Sequence, residues 1–140
     1  MKFELQNQFV APSVNFLSRL SLSGYQSIAR TRLIKMLADK NKEISELQKD
    51  LINQYAKKDK DGEPIVENDS YQFTPKNSQK FQQEYQKLML ENGELEKATY
   101  SHHKEDCQDF LLHAGVSVSG DEALCYNALC EALDVDFDKR

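Results

Sequence analysis

Asp59, Asp61 and Gly62, within the stretch KKDKDGEPIVENDSYQF, begin as a calcium loop begins, with alternate carboxylates before a glycine that turns the chain. Register decides against the loop. With Gly62 at the sixth position, Lys57 would be the first ligand and Asn68 the twelfth, so a cation replaces a carboxylate and the bidentate glutamate is missing. Starting instead at Asp59 puts Pro64 where the glycine belongs. The stretch reads as a turn and a hairpin: Asp61 and Gly62 reverse the chain, and Ile65 and Val66 face Tyr71 and Phe73 across the polar residues 67–70.

His102, His103, Cys107, Cys125 and Cys130 carry atoms able to bind zinc, and His103 with Cys107 is an i, i+4 pair that one helix face could present to a metal. No Cys-x-x-Cys accompanies them, and the spacing matches no closed structural zinc pattern. Cys125 and Cys130 also fall on an apolar helix face, where a thiol behaves as a small buried hydrophobe and is inert. Three cysteines cannot all pair within one chain, so they read as free thiols of a reducing compartment. No Gly-rich phosphate loop, nucleophile elbow or pair of catalytic carboxylates has a suitable context. The expectation is a non-enzymatic protein without a cofactor.

Arg30, Arg32 and Lys35 cluster in IARTRLIK, with Lys40 and Lys42 beyond. Phosphate contact uses such residues, but Asp39, Glu43 and Glu46 dilute the patch, no aromatic residue interleaves it, and the pI is about 5.2. Direct nucleic-acid binding is disfavoured on that basis. Charge is also uneven along the chain: 11 Lys and Arg against 6 Asp and Glu through Lys60, then 7 against 17, for a net charge of −5. Pairing between a basic first part and an acidic second part is the plain reading, because cations in the first turns of a helix oppose its dipole.

The elements that must position these residues are mostly helical. Phe3 and Leu5 alternate with polar neighbours as a short strand that needs a partner, which the hairpin could supply. Pro12 suits the first turn of a short helix. From Tyr25 to Lys58 there is neither Pro nor Gly, and Leu33, Leu37, Ile44, Leu47, Leu51 and Tyr55 form a narrow apolar seam. The spacing predicts a helix of about 34 residues, roughly 50 Å long.

Thr74 and Pro75 open a third helix, in which Asn77, Phe81, Tyr85 and Leu88 form a stripe and Gly93 acts as terminator. It should return antiparallel and cover part of the seam, leaving the rest as a partner site or a dimer contact. Two short helices follow, over about residues 99–114 and from Ser119, the latter with a capping box between Ser119 and Glu122 and with Leu124, Cys125, Ala128, Leu129, Ala132 and Leu133 inward.

The expected fold is therefore mainly α: a long helix, a small β-hairpin and a returning antiparallel helix, with two short C-terminal helices. Its 140 residues suit one domain, with the strand, helices and hairpin in 1–92 and an acidic helical part in 93–140. No apolar run is long enough to span a bilayer, and the first residues lack the apolar core of a signal peptide, so the expectation is a cytoplasmic protein.

The order SGYQSIARTRLIKML, then LINQYAKKDKDGEPIVEN, then KFQQEYQKLM, resembles an uncharacterised family of small proteins from phages and prophages of Gram-positive bacteria, over roughly residues 1–135. The resemblance implies a phage origin and brings no catalytic residues. By analogy with small acidic phage proteins, the expected role is to bind a host protein, as an anti-defence factor such as a CRISPR-Cas inhibitor does. A phage structural or assembly component, or a nucleic-acid accessory protein, is the alternative. Arg30, Arg32, Lys35, Leu37, Ile44 and Leu51 are the expected partner-binding residues.

Overall fold

A computed structural model describes residues 1–139. The fold is mainly α, as the periodicity requires. In chain order the elements are β1 (Lys2–Gln6), α1 (Val10–Ser18), α2 (Gly24–Tyr55), β2 (Val66–Glu67), β3 (Ser70–Tyr71), α3 (Pro75–Leu90), β4 (Asn92–Glu96), α4 (His103–Leu112) and α5 (Gly120–Ala132). Short 3-10 turns occupy Asn7–Phe9 and Phe137–Lys139. No helix among the described residues is long and apolar enough to cross a membrane.

Two compact units share the chain: one combines residues 1–41 with the segment from Asn92 onward, and the other is Lys42–Glu91. The acidic C-terminal part thus packs with the first 41 residues rather than forming a separate half. Helix α2 contributes to both units.

In the first unit β1 pairs antiparallel with β4, Phe3 opposite Leu95 and Leu5 opposite Gly93. This corrects the expectation that the hairpin would take the N-terminal strand. The alternation explains it: Phe3, Leu5 and Leu95 are buried while Lys2, Glu4, Glu94 and Glu96 face out, so two short strands bury one shared face. Gly93 lies inside β4 rather than ending a helix. A Cβ there would sit 2.6 Å from Asn7 Oδ1, 2.7 Å from Lys40 Cε and 3.3 Å from the Leu5 carbonyl oxygen, so close approach and not chain reversal is what requires glycine.

The core of this unit draws Phe16 and Leu17 from α1, Leu33 and Leu37 from α2, Phe110 and Leu111 from α4, and Leu129 and Cys130 from α5, all at most 1% exposed. Two details of α5 depart from expectation. Ser119 occupies the N-cap position without a side-chain capping bond, and the Glu122 carboxylate is held by Arg19, at 2.9 Å from Nε and 2.6 Å from Nη2. Leu124 is 61% exposed, since Cys125, Leu129 and Leu133 already fill the inward positions. The Arg19–Glu122 pair does join the basic start of the chain to its acidic end.

In the second unit, the main chain of Tyr55 accepts from Asn77 at 3.3 Å and Gln48 reaches the Tyr85 hydroxyl at 3.5 Å, so α3 runs antiparallel to the C-terminal part of α2. Thr74 caps α3 by accepting from the Asn77 N–H at 3.2 Å, with Pro75 at the first position. Phe73 stacks on Phe81 at 4.8 Å, and Phe81 meets Tyr85 at 5.7 Å. Between β2 and β3, Asn68 and Asp69 both adopt positive φ, 53° and 62°, the pair of left-handed residues that a two-residue hairpin turn demands. At the base of the hairpin the Asp59 carboxylate accepts from the N–H groups of Asp61, 2.8 Å, and Glu63, 3.0 Å, and Gly62 takes φ of 81°. The Asp-x-Asp-Gly stretch is a side-chain-capped turn.

Candidate functional site

The apolar seam of α2 is not one continuous surface. Leu33, Leu37 and Ile44 are buried, at 0%, 0% and 2% exposure, and serve packing. Past Ile44 the seam opens: Leu47 is 41% exposed and Leu51 is half-buried. These two, with Leu88 and Leu90 of the α3 end, line an open groove of about 810 Å³ within the second unit. Leu90 is 49% exposed, and α3 has no fully buried residue at all. A helix of 16 residues with only half-buried apolar positions covers its partner incompletely, which leaves aliphatic surface in contact with solvent.

The groove has an uneven rim. Asp50, Glu84 and Glu91 contribute three carboxylates and Lys87 one ammonium, with Gln54 completing the lining. An apolar floor with an acidic rim suits an aliphatic or aromatic segment flanked by Lys or Arg.

Of the six residues singled out in the sequence, only Leu51 lies in this groove. Arg30 is half-buried and donates from Nη1 to the carbonyl oxygen of Leu20, just beyond α1, which ties the α1–α2 connection to α2. Arg32 and Lys35 are exposed on the N-terminal part of α2. The Arg32 guanidinium lies over the ring of Tyr100, 5.1 Å from its centroid. Leu47, Leu88 and Leu90 complete the groove. Leu47 and Leu88 were each legible as stripe positions, but only the end of α3 at Leu90 shows that their stripes meet unfilled.

His103 and Cys107 occupy one face of α4, as their spacing predicts, and both side chains are fully buried. Their polar atoms are already engaged. His103 Nε2 is 2.9 Å from the Ala29 carbonyl oxygen, an acceptor only, so Nε2 carries the proton and donates. Nδ1 then accepts from the Thr99 hydroxyl at 2.7 Å. The Cys107 thiol points at the same Ala29 oxygen at 4.0 Å, and burial pushes its pKa up to about 12. Burial likewise pushes Cys130 up to about 11 and raises Cys125, whose Sγ is 3.2 Å from Ser13 Oγ. These thiols are poor nucleophiles and poor metal ligands at neutral pH.

Tyr100 is the residue that sequence reading did not single out. Its hydroxyl donates to Asp106 at 2.8 Å, its ring stacks on His103 at 4.9 Å, and Tyr25 meets it edge-on at 5.5 Å. Burial and the Asp106 carboxylate hold its phenol above the ordinary tyrosine value, so it remains neutral.

Comparison with known proteins adds no assignment: no family model matches the chain, and no curated protein or solved structure matches it.

Proposed function

We propose that this chain is a non-enzymatic, phage-encoded protein that acts by holding a host protein in the groove between α2 and α3. The observation that carries the reading is the pairing of partly exposed Leu47 and Leu90 across a concave surface with an acidic rim. An apolar segment with basic flanks is the complementary occupant. A second copy of the chain is a poorer one, since groove-to-groove contact would oppose Asp50, Glu84 and Glu91 to their own counterparts. The phage assignment rests on the resemblance of SGYQSIARTRLIKML and the segments after it, and the host-directed, anti-defence role of a CRISPR-Cas inhibitor type rests on analogy with small acidic phage proteins.

The test is affinity capture from lysate of a susceptible Gram-positive host, with the wild-type chain and with a Leu47→Asp, Leu90→Asp double variant side by side, and light scattering of each chain alone. One host protein retained in stoichiometric amount by the wild type and lost by the variant is the expected result. Equal capture by both would remove the groove from the mechanism. Self-association of the wild type alone, abolished in the variant, would instead make the groove a contact between copies and the protein an assembly component.

A further inference from the structure

The first unit gathers cations that the sequence scatters. Arg32 and Lys35 on α2 and Lys97 just after β4 line one depression of about 220 Å³, whose remaining walls are Ala98 and Thr99. A second depression, of about 370 Å³, shares Ala98 and Thr99 and is completed by Met1, Tyr100, Ser101 and Lys104. No carboxylate lines either one. In a chain with a net charge of −5, two adjoining hollows whose charged side chains are all positive depart from the average surface. Lys104 is partly neutralised by Asp134 at 2.6 Å, so Arg32, Lys35 and Lys97 are the effective cations; the Asp106 carboxylate, which accepts from the Tyr100 hydroxyl, lines neither hollow.

An aromatic platform adjoins them. Tyr100 sits under the Arg32 guanidinium and against Tyr25, which is 60% exposed. The aromatic interleaving that residues 30–35 lack in sequence is thus supplied in space, from the start of α2 and from the loop before α4. Cations beside an exposed ring fit a ligand that carries phosphates and an unstacked base. A carboxylate-bearing protein surface would use the cations alone. A duplex, with its bases stacked inside, would leave Tyr25 unused.

We infer that the hollow lined by Arg32, Lys35 and Lys97, with the exposed Tyr25 ring reached from it across Tyr100, binds single-stranded nucleic acid, its phosphates on the three cations and a base on the Tyr25 ring. The site is separate from the groove of the second unit and is a second activity of the chain. The overall pI and the run IARTRLIK disfavour nucleic-acid binding when taken alone; the spatial cluster adds Lys97, Tyr25 and Tyr100, which lie outside that run.

The test is fluorescence anisotropy of a labelled oligothymidylate, titrated with the full chain at low and at moderate salt. The comparison variants are Lys97→Ala, the triple Arg32→Ala, Lys35→Ala, Lys97→Ala, Tyr25→Ala, and an exposed-lysine control, Lys76→Ala with Lys80→Ala; circular dichroism checks that each is folded. The expected result is saturable binding that weakens about tenfold or more in the triple variant, with the slope of log affinity against log salt reduced by about 2, since each single-strand phosphate contact contributes about 0.7. Tyr25→Ala should weaken binding about fivefold or more at an unchanged salt slope, the signature of lost stacking. Lys97→Ala alone should lower both affinity and slope, and the control should do neither. Absence of saturable binding, an equal loss in the control, or equally effective competition by polyglutamate or by a free nucleoside triphosphate would each overturn the assignment.

Discussion

His103, on α4, donates from Nε2 to the main-chain carbonyl of Ala29, on α2, at 2.9 Å and across 74 residues of sequence. Both residues are fully buried, and the small Ala29 side chain lets the imidazole reach the helix backbone. Because Thr99 holds the other ring nitrogen at 2.7 Å, the imidazole is fixed in one tautomer by partners on both sides. The contact docks α4 on α2 and, through the Tyr100 ring stacked on the imidazole, sets the aromatic platform beside Arg32.

That burial predicts a pH dependence. Desolvation, the largest cause, lowers the His103 pKa from its ordinary 6.5; the Met1 amino group and Arg32 act the same way, while the Ala29 bond and Asp106 oppose them. The unfolded chain therefore takes up its proton first as pH falls. The stability that His103 contributes is complete above about pH 6.5 and declines below it, by at most about 1.4 kcal/mol per pH unit until the folded-state pKa is passed. Urea unfolding between pH 7.5 and 5.5 should show a larger fall in midpoint for the wild type than for His103→Gln. Parallel curves would show that His103 titrates alike in both states.

The thiols give a second, kinetic prediction. Cys107, Cys125 and Cys130 are at most 1% exposed, and burial raises the pKa of each. A disulfide-exchange reagent at pH 8 should label none of them in the folded protein on the timescale of free cysteine, and all three in strong denaturant. Rapid labelling of one thiol under native conditions would locate a segment that opens without global unfolding.

Gly93→Ala tests the β1–β4 junction. The added methyl meets Asn7 and the Leu5 carbonyl within β1 and its continuation, and only Lys40 Cε, at the end of a flexible chain, can move aside easily. A loss of about 1–3 kcal/mol is expected from this overpacking. If Asn7, Lys40 and the Leu5 strand could all shift to admit the methyl at no cost, alanine would be neutral, and a thermal melt distinguishes the two.

How much of this was legible depends on whether the signal was local. The α2 seam, the Thr74–Pro75 cap and the Asn68–Asp69 turn are each written within a few residues, and each forms where its spacing indicates. Strand β4 is not local. NGELE offers only Leu95 as a strand signal, and its pairing with Lys2–Gln6 bridges some 90 residues, so Gly93 reads as a helix stop until the partner is seen. The same holds for the groove and the basic hollow. Leu47 and Leu51 announce an apolar face, but their exposure depends on where α3 ends, and Lys97 joins Arg32 only once β4 has docked. Arg30 shows the converse, since a residue picked for its charge turns out to bond the main chain.

Arg30 supplies the remaining prediction. Its guanidinium donates to the Leu20 carbonyl oxygen in a half-buried setting, whereas Arg32 and Lys35 are exposed. A hydrogen bond with one charged partner contributes about 1.5–3 kcal/mol, so Arg30→Met, which keeps the aliphatic stem, should lower unfolding stability by about that amount. Lys35→Met should change it by less than about 0.5 kcal/mol, as an exposed substitution away from any structural contact. Chemical denaturation of the two variants separates the roles: equal and small losses would return Arg30 to the pool of surface cations, and a loss confined to Arg30 would assign it to holding the α1–α2 connection.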